Sequence, residues 1–221
     1  MKSIYIISLA LVFALLSCNN PNETKKLKLE KKQAKRPLTI TPSKTIPISL
    51  NDSTTEMLLR KGRALTTKMQ ITFKSELLKA IQRGDMADAI GFCNEKAMMI
   101  SDSASYAEQA VIRRLALKNR NPENRMNEQE TRIYKDFVLS WISKTPMKPR
   151  IQLSADHHPV YYAPITMQPL CLNCHGSLEK DINPNVAAKI KELYPNDKAV
   201  DFKQVDMRGM WAITFSEYYI N

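Results

Sequence analysis

Apolar residues recur in this chain first at helical spacing and later at strand spacing. Leu58, Leu65, Met69, Phe73, Leu77 and Ile81 lie on one face of a long helix, and Gly84-Asp85 ends the run. Ser53 with Glu56 has the form of a capping box ahead of it. Ile90, Cys93, Ala97 and Ile100 form one stripe of a second helix over residues 86–101, so Cys93 faces inward. Asn121-Pro122-Glu123-Asn124 predicts a turn, and Asn127 with Glu130 caps a third helix that carries Ile133, Phe137 and Trp141 toward the core. Past residue 149, β-forming residues concentrate at 150–153 and 160–165 around Asp156-His157-His158-Pro159, the pattern of a hairpin. Asn183-Pro184 opens a short helix with Val186, Ile190 and Leu193, closed by Tyr194-Pro195, and residues 211–219 alternate as another strand. Helices followed by a small antiparallel sheet make the fold class α+β.

The chain before residue 51 has a different character. Lys2 precedes an apolar run over residues 4–16, too short for a permanent span but suited to the h-region of a secretory signal. The run ends in Leu15-Leu16-Ser17-Cys18, which resembles a bacterial lipobox, so Cys18 is expected to carry lipid and begin the mature chain; an ordinary cleavage site is the alternative. Residues 18–50, rich in Lys, Pro, Thr and Ser, cannot bury enough apolar surface to order themselves and are expected to form a tether. The expected organisation is a signal over 1–17, a lipid-anchored basic linker over 18–50 and one domain over 51–221. Lys25, Lys26, Lys28, Lys31, Lys32, Lys35 and Arg36 account for part of the formal net charge of +11. Beside a lipid anchor, that cluster suits anionic head groups or plain solvation, and nucleic acid is not an expected partner.

Cys171-Leu172-Asn173-Cys174-His175 carries the most specific chemistry. Two thiols at this spacing can add to the two vinyl groups of one porphyrin, and the following histidine then lies beneath the iron, so one covalent haem c is expected. Zinc would need a fourth ligand, and no second Cys-x-x-Cys pair provides one. A thioredoxin-like pair would follow a strand in a βαβ pattern, which is not legible before Pro169. A structural disulfide is the remaining alternative. With Cys18 lipidated and Cys171 and Cys174 engaged, Cys93 is left alone in an oxidising compartment, where either burial or coordination to iron would protect it. Met98, Met99, Met126 and Met167 fit core packing better than ligation, and His157 and His158 fit an exposed hairpin tip. Arg113, Arg114 and Arg120 are candidates for binding haem propionates, against the alternative of a solvated basic face.

The domain resembles a family of exported bacterial proteins built on a PAS-like c-type haem domain, found alone or as the ectodomain of sensor kinases. The likeness rests on Ala89-Ile90-Gly91-Phe92-Cys93, on residues 113–124 with Arg120-Asn121-Pro122, on Cys171 to Gly176, on Tyr194-Pro195-Asn196-Asp197-Lys198-Ala199 and on Asp206-Met207-Arg208-Gly209. Val200-Asp201-Phe202 departs from the glycine-containing family pattern at that point. The resemblance implies a PAS-like fold, His175 as one axial ligand and Cys93 as the other, and it favours Arg113 and Arg120 as the propionate ligands. A thiolate opposite histidine would lower the reduction potential of the iron.

Three uses follow: sensing of redox state or a diatomic gas, relayed to an unknown signalling or redox partner; electron transfer at the envelope; or a zinc- or disulfide-stapled binding lipoprotein. An enzyme is the weaker expectation. Three histidines so placed build no Ser-His-Asp arrangement, and five glycines build no phosphate loop.

Overall fold

The computed structural model describes residues 46–220. The expected signal over 1–17, the lipidation site Cys18 and most of the basic linker lie outside the described residues. The linker's last part does not: Ile46–Ile48 forms strand β1. It pairs in parallel with Tyr218–Ile220, strand β6. Structure therefore begins earlier than residue 51, because alternating Ile46 and Ile48 find an edge to pair with at the other end of the chain.

Helix α1 spans Asp52–Arg83, and Asn51 caps it by accepting from the Thr54 amide at 2.9 Å. The expected Ser53–Glu56 box does not form; the helix starts one residue before Ser53, and Glu56 pairs with Arg60. Helix α2 runs over Met86–Ala107, six residues beyond the expected end, behind a capping box of Asp85 and Asp88. Strand β2, Val111–Leu115, follows. A 3-10 turn at Pro122–Asn124 leads into helix α3, Glu128–Ile142, capped reciprocally by Asn127 and Glu130 as expected. Strands β3, Arg150–Leu153, and β4, Pro159–Thr166, make the expected hairpin. Two short helices come next, α4 over Pro169–His175 and α5 over Pro184–Leu193. The expected last strand is split into β5, Met207–Thr214, and β6, because a turn in which Tyr218 donates to Phe215 O at 3.1 Å interrupts it.

The main sheet has the order β2-β5-β4-β3 with antiparallel neighbours throughout. Side chains alternate across a strand, so each face recruits its own helix. Ile112, Tyr161, Trp211 and Ile213 pack on Leu58, Leu65 and Met69 of α1. Leu115, Val160, Tyr162 and Met210 pack on Ile133, Tyr134 and Phe137 of α3. The result is helix, sheet, helix: an α+β domain. A further apolar cluster joins Ile90 of α2 to Val186 and Ile190 of α5. That joint brings the helix bearing Cys93 toward the α4–α5 region.

Candidate functional site

Pro169 in the first turn of α4 has no amide hydrogen to satisfy, which favours a helix start there. Cys171, Cys174 and His175 therefore share two turns of helix directly after β4. A cysteine in the first turn of a helix behind a strand has the local look of a redox dithiol, contrary to the expectation from sequence. The sheet around it is antiparallel, however, and lacks the βαβ crossover of that class. All three cysteines of the described residues are free thiols, so the disulfide staple is not formed. Nor do any three His, Cys, Asp or Glu side chains among the described residues converge to hold a metal ion.

The two thiols diverge. Cys171 packs with Leu172 on Met167, Ala199 and Phe202, whereas Cys174 joins the cluster of Ile90, Ile182, Val186 and Tyr194. His175 is fixed between them. Its Nδ1 meets Ala199 O at 2.8 Å, and its ring stands edge-on to Phe202 with centroids 6.4 Å apart. Burial holds its pKa well below the usual value, and Arg208 and Arg120 push in the same direction, so the imidazole is neutral. Nδ1–H donating to a carbonyl leaves Nε2 as the acceptor nitrogen, the tautomer required of a metal ligand.

The Ala199 carbonyl is itself held. Asp197 accepts from the Ala199 amide at 2.8 Å and from Arg120 Nε and Nη2 at 3.1 and 3.0 Å. Arg120 Nη2 also donates to Cys174 O at 2.6 Å and Ala199 O at 3.3 Å. Phe202 and Asp201 donate backbone bonds to His175 O and Gly176 O, closing the loop onto the end of α4. Tyr194-Pro195-Asn196-Asp197-Lys198-Ala199 is thus the cradle of the histidine, and Arg120 bolts that cradle to the helix.

Cys93 comes into the same place from α2. Burial raises its thiol pKa, opposed by the Arg114 and Arg120 guanidiniums. Cys174 is pushed up to about 11 by burial, with Arg120 opposing and Cys93 and Cys171 adding to the rise. Cys174 is therefore within electrostatic reach of both other thiols. Tyr194, raised by burial and then by Cys93, completes this wall.

The two arginines that the resemblance favoured sit in different places. Arg113 is not in the site: it donates to Glu130 at 2.7 Å and to Arg125 O at 3.2 Å, on the α3 side of the sheet. Arg120 is in the site, where Nε and Nη2 donate to Asp197 and Nη2 also to the carbonyls of Cys174 and Ala199. Arg114 and Arg208 also face the site; parity along β2 would have found Arg114, since it shares a face with Ile112 once residues 111–115 are read as a strand. His157 is exposed, and His158 is tied to Tyr218 O at 2.6 Å, away from the cysteines. Met167 is core, Met99 is exposed, and Met98 accepts from Asn121 at 3.3 Å. A separate cleft of about 700 Å³ lies between α1 and α2 and includes none of the cysteines.

Fold and site together define an α+β domain in which a buried imidazole lies between two diverging thiols, with arginines around it. The chain belongs to the Tll0287-like family, whose model matches residues 50–216. Among solved structures it is similar to the cyanobacterial haem protein Tll0287, with 28% identity over 52% of this chain and 65% of that one, and a TM-score of 0.44. The match thus spans just under two thirds of that protein. Comparison with curated proteins found no match.

Proposed function

We propose that this chain is a c-type haem protein of the cell envelope, with Cys171 and Cys174 joined to one haem c, His175 as one axial ligand and Cys93 as the other. The observation that carries it is the arrangement on α4. A neutral histidine presents Nε2 while the thiols on either side diverge into separate apolar clusters. A broad planar group anchored at its rim and gripped at its centre needs that divergence, and a point-like metal ion would not tolerate it. The haem character of the solved family member supports the same reading. When bound, haem supplies a one-electron redox centre with an exchangeable coordination position.

Cys93 decides the use. On a helix that packs against both α1 and α5, a ligand gained or lost is felt through the packed layers, which favours sensing of redox state or a diatomic gas in a PAS-like domain over simple electron carriage. The signal then passes to a partner protein, and lipidation at Cys18 keeps the chain at the membrane. Protein matured with a cytochrome-assembly system is expected to give a c-type pyridine haemochrome and a mass increase of one haem. Cys93→Ala is expected to change the ferric spectrum, and identical bands would exclude thiolate ligation. Carbon monoxide binding to the reduced protein with displacement of a ligand supports sensing; six retained ligands in both oxidation states would favour electron transfer.

A further inference from the structure

Arg114 and Arg208 are half-buried guanidiniums that pair with no carboxylate among the described residues, whereas Arg113 and Arg120 each have one. Arg114 lies over the Phe73 ring, Cζ to centroid 4.1 Å. Trp211, directly opposite Arg114 in the β2–β5 ladder, lies tilted against the same Phe73 ring with centroids 6.2 Å apart, and its indole Nε1 is buried without an acceptor among the described residues. Arg208 lies 5.3 Å over Phe202, the ring that meets His175 edge-on, and donates to Lys118 O at 3.1 Å. Burial holds Arg114 below its usual pKa and pushes Arg208 down to about 10, with Arg120 and Arg114 adding to the latter. Among the described residues, Arg114, Arg120, Arg208 and Lys118, whose ammonium lies 4.6 Å over Phe202, have Asp197 as their one ion-paired acid. Cations outnumber paired acids there.

Such an excess of half-buried positive charge is relieved when an anion completes it. Arginine forks suit carboxylates, and two unpaired forks suit a dianion. We propose that Arg114 and Arg208 bind the two propionate carboxylates of the haem. This assignment rests on the haem reading above and differs from the one that the sequence suggested for Arg113 and Arg120. Phe73 and Phe202 act as positioning residues, each packed against one guanidinium.

The test uses the full-length, haem-loaded protein with Arg114→Gln, Arg208→Gln and, as comparator, Arg113→Gln. Resonance Raman spectra report the propionate bending modes, and haemochrome absorbance reports haem content. Each site variant is expected to keep its haem and shift one bending band, the double variant to shift both, and Arg113→Gln to shift neither. If a glutamine variant aggregates, the lysine variant is measured instead; it keeps the charge but loses the fork, and the band is still expected to move. Unmoved bands at full haem content overturn this assignment alone. A wild-type preparation without haem overturns the haem reading and this assignment with it.

Discussion

At the scale of single residues, the site is organised less by its ligands than by the groups that hold them. Arg120 and Asp197 are both nearly enclosed, at 11% and 8% side-chain exposure, and their bond is shared with the carbonyls of Cys174 and Ala199. Breaking a buried pair from one side leaves the partner charge stranded, which costs roughly 3–5 kcal/mol. Arg120→Met is therefore expected to lower the urea midpoint strongly. Arg120→Met combined with Asp197→Leu should recover part of the loss, and a double variant no more stable than Arg120→Met alone would contradict the pairing. Gly62 makes a similar point in the core. A Cβ there would lie 2.3 Å from the Tyr161 ring, so α1 can cross β4 only without a side chain. Alanine gains up to about 1 kcal/mol in helix propensity. Overpacking costs about 1–3 kcal/mol. Gly62→Ala is expected to destabilise on balance, and a raised melting temperature would show that α1 can lift away freely.

Elements depend on reciprocal caps. Asn127 accepts from the Glu130 amide at 2.8 Å and donates its own amide to Glu130, whose other oxygen takes Arg113 from β2. This cap joins helix to sheet, whereas Asn51 makes a single exposed bond. Asn127→Ala is expected to cost about 1–2 kcal/mol and Asn51→Ala about half that or less, measured by denaturant titration side by side. Helices α1, α3 and α5 and the β3–β4 hairpin were legible in the sequence because periodicity, cap and breaker agree there. Strand β2 was not. Its five residues include two adjacent arginines, and only the alternation seen after folding shows one serving α3 and the other the site. Helix α4 hid because its length is set by the loop of residues 197–202 closing on it, a contact remote in sequence. Cys171, Cys174 and His175 were recognisable from spacing alone, while the cradle around His175 was visible only as an unexplained run from Tyr194 to Ala199.

Across the whole molecule, no helix of the described residues is long and apolar enough to cross a membrane. Attachment in the proposed function therefore rests on residues outside the described part: Cys18 and the basic run from Lys25 to Arg36. These two contributions respond differently to salt. Basic side chains near an anionic surface contribute about 1 kcal/mol each. That attraction fades as the screening length shrinks from about 10 Å at 0.1 M to about 3 Å at 1 M salt. Acyl chains contribute about 0.8 kcal/mol per buried methylene, and salt does not screen that term. The mature lipidated protein is expected to remain on vesicles containing anionic lipid at 1 M salt, and Cys18→Ser to be released as salt rises. Neutralising the seven cations in the lipidated chain should change little at equilibrium. Equal flotation of the wild type and Cys18→Ser at 1 M salt would remove the lipid anchor and leave the basic run insufficient, so attachment would have to be sought in a protein partner.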